Sequence, residues 1–508
     1  MPPVELSSVQ RNVPRRIIKK RGTTRERTGC LTCRQRKKRC DLGYPVCKEC
    51  VRLNYECKWE APRNFACNEP STDSLCLAER SSSRPVRLLI VPDPVLFWVD
   101  EHSDCTSPLS RRNFLRYYTQ TFTHLMTTNM ENNSFLSVFL PIAMHSPPVL
   151  NTLIAWSSSH LSLRDKSFEH VAMQNRGTAL RDLRKALESD PANLETNLAM
   201  SLILCSLESI MGDNGDAWYL HLIGASKVLL SNTDITSIYG DEYPTKVLEP
   251  FNDIYAARWL LRNFAYRDIV TAVARDQAPV MNSHHFLTLD DPLQPDSYFG
   301  LAAEILEVVS HTAVLNHTLK TEINSIPNKE PGSLVHIIDD KYSFPPSEIL
   351  ESLMALETRL EQWVCPPSED MPLRLLAESY RSSALIYIYR VMRAVCPERE
   401  IELSSKVATQ VAATVDIIER MPTRTFAECT LLFPLFLAGG EATEEPHIKS
   451  IRTRMLDMID SRGFRNVEVA LSVLEKLWRL RIARKSTGSA KVDWLDITRR
   501  DGISLSLS

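Results

Sequence analysis

The chain has 508 residues, 44% of them hydrophobic, with only 15 glycines and a formal charge of −2. That length suggests two or three domains, and so little glycine leans towards helices and away from glycine-rich phosphate loops. The small net charge conceals a division: residues 1–60 hold 16 Lys+Arg against 6 Asp+Glu, while the rest hold 44 against 56.

A basic head on an acidic body fits a nucleic-acid-binding module joined to something else, or a plain basic tail. No apolar run approaches the roughly 18 residues of a membrane-spanning helix. The opening MPPVELSSVQ lacks the apolar core of a secretory signal, so the 13 cysteines read as thiols or metal ligands rather than disulfides. Residues 1–29 form a loose basic arm (Arg15, Arg16, Lys19, Lys20, Arg21, Arg25 and Arg27) without apolar periodicity. It is expected to be disordered without DNA, and suits either phosphate contacts or an import receptor.

Six cysteines then fall within 28 residues: Cys30, Cys33, Cys40, Cys47, Cys50 and Cys57. The spacing C-x2-C-x6-C occurs twice, joined by the connector Asp41–Val46. A structural zinc takes four ligands in a tetrahedron, and each half supplies three thiolates, so neither half closes a site alone. Two zincs need eight bonds, and six thiolates supply eight when two of them bridge. Sharing one cysteine from each half draws both metals into one cluster. So short a segment has almost no apolar core, so metal binding would supply most of its folding free energy.

This segment resembles the fungal zinc binuclear cluster (Zn2Cys6) family of DNA-binding domains over the whole of Cys30–Cys57. The resemblance implies that Cys30 and Cys47 bridge. One zinc would take Cys30, Cys33, Cys40 and Cys47, and the other Cys47, Cys50, Cys57 and Cys30. Pro45 stands where the family carries a connector proline.

The two halves differ between their cysteines. Arg34-Gln35-Arg36-Lys37-Lys38-Arg39 has five cations in six residues, whereas Val51–Glu56 has one cation and one acid. Only the first half is equipped for a polyanionic groove, where Arg and Lys suit guanine O6 and N7. The resemblance implies recognition of CGG-like triplets, with Arg36 and Lys37 at the base-reading positions. Arg34, Lys38, Arg39, Lys48 and Arg52 are expected on phosphates.

Residues 61–110, with six prolines and eight serines, read as a linker. No leucine heptads follow Cys57, so the coiled coil that many family members use for dimer spacing is not expected, though a homodimer remains open. From 111 to 485 the apolar residues recur at helical spacing, as in Phe114, Leu115, Tyr118, Phe122, Leu125 and Met126. Similar stretches are expected at 147–160, 166–188, 194–212, 217–231, 254–275, 297–316, 347–364, 373–396 and 403–420. Long surface loops are expected at 278–295 and 325–347, and residues 486–508 are taken as a tail. The body resembles the helical regulatory domain found downstream of such clusters, through Trp218–Ala225 and Leu431–Ala442; the glycines in these segments read as close-packing residues of core helices.

The expected fold class is therefore mostly α: a two-zinc head at 30–60, a linker, then a large all-α body. The expected function is sequence-specific transcription regulation in the nucleus, with double-stranded DNA and coregulators as partners and no membrane. A zinc-folded scaffold without base reading is the competing possibility. A helical enzyme finds no support: H-E-x-x-H, G-x-S-x-G, Walker A and G-x-G-x-x-G are all absent. His284-His285 is taken as part of an ordinary loop without a partnered Cys or Glu.

Overall fold

The structure is a computed structural model, and it describes residues 30, 32–33, 36, 38, 40, 47–52, 57, 108–213, 215–232, 251, 254–289, 294–325, 347–485 and 492–508. The chain divides into two units, Met1–Ser81 and Ser82–Ser508. The basic arm, most of the expected linker and residues 486–491 lie outside the described residues. Among the described residues of the first unit, Thr32 and Cys33 are helical, and a short helix, α1 (Lys48–Arg52), follows Cys47.

The regular secondary structure of the second unit's described residues is helical, apart from an isolated bridge between Asp296 and Gly300. It opens with α2 (Pro108–Tyr117), α3 (Thr123–Met126), α4 (Leu140–His145), α5 (Pro147–Arg164) and α6 (Glu169–Ser189). There follow α7 (Leu194–Met211), α8 (Ala217–Asn232), α9 (Ile254–Arg275), α10 (Ala303–Ser325) and α11 (Ser347–Gln362). The remainder is α12 (Met371–Val395), α13 (Glu400–Arg420), α14 (Leu432–Glu441), α15 (Glu445–Arg462), α16 (Arg465–Lys485) and α17 (Trp494–Asp501).

These helices divide by how much of their circumference is apolar. α13 shows one stripe, with Leu403, Val407, Val411, Val415 and Ile418 buried at spacings of three and four, and lays it against α12 and α14. By contrast α7 is apolar all round and 15 of its 18 residues are buried. It is long and apolar enough to cross a membrane by composition, which the sequence reading did not register. Packing against α5, α6, α8, α9 and α16 instead makes it the core of a bundle.

Helix ends follow local chemistry. Pro147 opens α5, where a missing N–H costs nothing, and Asp370 caps α12 by accepting from the Leu373 N–H at 3.2 Å. Gly212 stops α7 at φ +60, and a Cβ there would lie 2.9 Å from the Arg465 carbonyl carbon. Only glycine meets both demands.

Three expectations need correction. The expected loop at 278–295 contains a 3-10 helix, Ser283–Thr288, whose Phe286 and Leu287 are buried, so part of it belongs to the core. The expected tail contains α17, with Trp494 and Ile497 buried and an Asp493/Asp496 capping box. Beyond it Leu505 and Leu507 are also buried, and Ser506 Oγ lies 2.6 Å from Ser209 Oγ. Finally, the α-helical period from Phe114 to Met126 is interrupted by a π turn at Tyr118–Phe122, and another π turn spans Phe135–Phe139. Both turns feed an aromatic cluster in which Phe122 meets Trp156 edge-on at 5.0 Å and Phe139 meets Trp259 at 4.9 Å.

The two glycine-containing segments separate on inspection. In α14 a Cβ on Gly439 would lie 2.8 Å from Leu474 Cδ1, and one on Gly440 3.0 Å from Trp494 Cδ1, so both glycines admit neighbouring side chains. At Gly224 in α8 nothing lies within 4 Å of the added carbon, so close packing does not explain it. Gly224→Ala is therefore expected to stabilise the body by about 0.5–1 kcal/mol through helix propensity. Gly439→Val, overpacked against Leu474, should cost about 1–3 kcal/mol. Urea denaturation of the two variants checks the opposite signs.

Candidate metal centre

The head has a core made of sulfur. Cys30, Cys33, Cys47 and Cys50 are fully buried, with Cys40 and Cys57 partly buried against them, and all six are free thiols. Their positions follow from the C-x2-C repeat. In the first half the Cys33 N–H donates to Cys30 Sγ at 3.3 Å, and in the second the Cys50 N–H donates to Cys47 Sγ at 3.4 Å. Each pair therefore opens a helical turn with its first sulfur held by the backbone. In the first turn the Arg36 N–H reaches the Thr32 carbonyl at 3.2 Å, and in the second the Val51 N–H reaches the Cys47 carbonyl at 3.1 Å. The sequence duplication is thus repeated in the backbone-to-sulfur bond of each C-x2-C pair.

The halves meet through sulfur. Cys30 Sγ lies 3.7 Å from both Cys47 Sγ and Cys50 Sγ, while Cys33 Sγ lies 3.6 Å from Cys47 Sγ and 3.9 Å from Cys50 Sγ. Four thiolates at about 2.3 Å from a tetrahedral zinc have sulfur–sulfur edges of about 3.8 Å. The observed spacings fit. Among the described residues no other group of three or more Cys, His, Asp or Glu side chains converges in this way. Cys57 joins the set where its Sγ accepts from the Cys47 N–H at 3.4 Å.

The thiols are not equivalent. Desolvation, with hydrogen bonds to Cys30 and Cys47, pushes Cys33 up to about 12, and desolvation with hydrogen bonds to Cys47, Cys30 and Cys33 raises Cys50 as well. Cys47 moves down: desolvation opposes ionisation, but the Cys50 N–H and the Cys50 and Cys33 thiols favour the thiolate more. A soft dication supplies the charge that lets all of these sulfurs ionise together.

Of the expected DNA contacts, Arg36 and Lys38 lie on the turn after Cys33, with Lys38 exposed. Lys48 is exposed at the start of α1, and Arg52 is exposed and pairs with Glu49 at 2.9 Å. An exposed pair of this kind is weak, so a phosphate can replace the carboxylate. Arg34, Lys37 and Arg39 lie outside the described residues.

Comparison with known proteins agrees with this geometry. Residues 28–64 match the fungal Zn(2)-Cys(6) binuclear cluster domain, and residues 113–508 match the fungal specific transcription factor domain. The chain belongs to the fungal zinc-cluster transcription factors. A zinc-cluster factor of this kind carries two zinc ions and binds DNA in a sequence-specific manner. The transcriptional activator protein UGA3 of Saccharomyces cerevisiae is 24% identical over 89% of this chain and 92% of its own length. An uncharacterized transcriptional regulatory protein of Schizosaccharomyces pombe is 22% identical over 94% of this chain and 96% of its own. The zinc cluster transcription factor CZF1 of Candida albicans is 54% identical over 48 residues, 9% of this chain and 12% of its own. No solved structure matches the chain.

The remaining candidate of the sequence, His284-His285, is not an isolated loop pair. Its 3-10 helix packs against α10, and His284 Nε2 lies 3.2 Å from His311 Nε2. His311 lies on α10, and nothing in the sequence connects it to a position 27 residues earlier.

Proposed function

We propose that residues 30–60 are the DNA-reading head of this zinc-cluster factor. One zinc is held by Cys30, Cys33, Cys40 and Cys47, and the other by Cys47, Cys50, Cys57 and Cys30. The observation that carries this reading is the convergence of four buried sulfurs, two from each half, at 3.6–3.9 Å across the halves. The 30–47, 30–50 and 33–47 contacts are those a shared pair of thiolates requires, and the longest, 33–50 at 3.9 Å, joins the sulfurs assigned to different ions.

Arg36 and Lys37 read base edges of CGG-like triplets, while Arg34, Lys38, Arg39, Lys48 and Arg52 bind phosphates and set the angle of approach. Support comes from Arg36 and Lys38, the described members of this cationic run, whose N–H groups bond to the Thr32 and Cys33 carbonyls on the turn at Cys33. Residues 61–110 link the head to a regulatory body starting near 111, and the whole acts in the nucleus, where its DNA is. The body recruits coregulators. A homodimer, where one forms, uses a surface other than a heptad seam after Cys57.

The test is selection of sites from random duplex DNA by the zinc-loaded full chain near physiological salt. CGG-like triplets should enrich. Arg36→Ala and Lys37→Ala should each cost about 1–3 kcal/mol on the selected site and relax the preference. Lys48→Ala should weaken all sequences alike and reduce the salt slope by about one. Binding that enriches no sequence and yields equally to any polyanion would sink base reading by the head.

A further inference from the structure

Arg267 of α9 is 1% exposed and carries a charge that no carboxylate among the described residues pairs with. Arg454 and Arg262, also buried, have Glu428 and Asp296 respectively. Arg267 instead gives Nε to Asn263 Oδ1 at 3.0 Å, Nη2 to Ser206 Oγ at 2.6 Å and to the Tyr298 hydroxyl, and Nη1 to Ser508 Oγ at 3.3 Å. All four acceptors are neutral. The backbone oxygen of Ser508 is taken by Ser209 Oγ at 2.9 Å and Asn466 Nδ2 at 3.4 Å. Arg462, likewise buried, spends its Nη groups on the carbonyls of Leu125, Thr425 and Phe426, and adds a second positive charge near Cys429.

A guanidinium does not shed its proton inside a protein, and an unpaired buried charge is costly. The neighbouring acids do not supply the balance. Burial outweighs Arg267 at Tyr298 and holds its hydroxyl up at about 12. Burial also pushes Cys429 up to about 12 and raises Cys205, so all three are uncharged at neutral pH. Beside these groups lies a cavity of about 20 Å³, lined by Ser206, Arg267, Tyr298, Cys429, Asn466 and Ser508 together with apolar side chains. It has room for one body the size of a water molecule. Donors are left over at its wall. Of the five guanidinium N–H groups four are used, leaving one on Nη1. The Tyr298 hydroxyl accepts from Arg267 and has no acceptor for its own hydrogen among the described residues.

We propose that this cavity is an anion site, taking one chloride, or an ion of its size and charge, against Arg267 and Tyr298. A halide fits the space, whereas an organic carboxylate does not. Its charge offsets that of Arg267, and it accepts the spare Nη1 hydrogen and the Tyr298 hydroxyl hydrogen. A water molecule would satisfy Asn466 Oδ1, a buried acceptor without a partner, but would leave the cation uncompensated. Charge therefore decides the occupant. The ion ties α7 through Ser206, α9 through Arg267 and the segment Ile503–Ser508 through Ser508, so the regulatory body tightens as halide rises.

The test is thermal unfolding of the zinc-loaded full chain at constant ionic strength, with chloride replaced stepwise by gluconate, an anion too large for the cavity. The melting temperature of the body should rise with chloride and level off, by about 2–4 °C once chloride is well above its dissociation constant. Bromide should reproduce the rise, and crystals grown in bromide should show its anomalous signal beside Arg267. Arg267→Met, which keeps the length and removes the charge, should abolish the dependence. Tyr298→Phe should reduce it, and reports on the site should the Met variant fail to fold. A melting temperature indifferent to chloride, a dependence unchanged in either variant, or water alone in the cavity of bromide-grown crystals would overturn the proposal.

Discussion

Replacing Cys47 by alanine is expected to empty the head of both zinc ions and abolish sequence-specific DNA binding, while the body melts as before. As the shared ligand proposed above, Cys47 would contribute to two of the eight zinc–sulfur bonds, and its surroundings favour the thiolate. Among the described residues of the head, the buried cluster behind the metal site consists of cysteines alone. Structural zinc supplies about 10–16 kcal/mol of apparent binding free energy to small domains, and without it such domains do not fold. Cys33→Ala removes one bond of eight, so that variant should still bind metal, with lower affinity. The measurement is zinc content after dialysis together with binding to a selected site by fluorescence anisotropy. A Cys47 variant that retains one tightly held zinc and reads DNA would show that Cys47 is not shared.

In the body the largest single effect is expected at Glu441. Its side chain is 2% exposed and pairs with both Arg390 and Arg393, whose side chains are 12% and 13% exposed. Arg390 reaches on to Asp493, the capping residue of α17, at 2.8 Å. One carboxylate thus joins α12 to α14 and, through Arg390, to α17. Glu441→Gln keeps the shape but leaves two nearly buried guanidinium groups short of charge, a loss of about 3–5 kcal/mol. Arg393→Met should cost less, because Glu441 keeps Arg390. Urea midpoints followed by circular dichroism would rank the two; a Gln variant as stable as the parent would mean that water or Asp493 balances the arginines.

What could be read from the sequence was what is decided locally. The six cysteines declare a metal cluster because ligand spacing is a property of adjacent residues. Likewise α13 was legible because Leu403, Val407, Val411 and Ile418 repeat at the helical period. Helix α17 was not, since its eight residues carry only Trp494, Leu495 and Ile497 as apolar positions and their burial comes from other helices. Gly224 and Gly439 look alike in the chain and differ only in their surroundings: open space for one, Leu474 for the other. The same holds for His284, whose partner nitrogen belongs to another helix.

The sulfur core of the head also sets how it responds to temperature. Unfolding a hydrocarbon core exposes apolar surface and carries a large heat-capacity change, which bends the stability curve and weakens the fold on cooling. A core of cysteines around metal, as the described residues of the head have it, exposes less such surface, so its curve is expected to be flatter. The DNA-reading end of this factor is thus comparatively indifferent to warm and cold and is governed by the cell's supply of exchangeable zinc, while the hydrocarbon-filled bundle that regulates it keeps the ordinary dome.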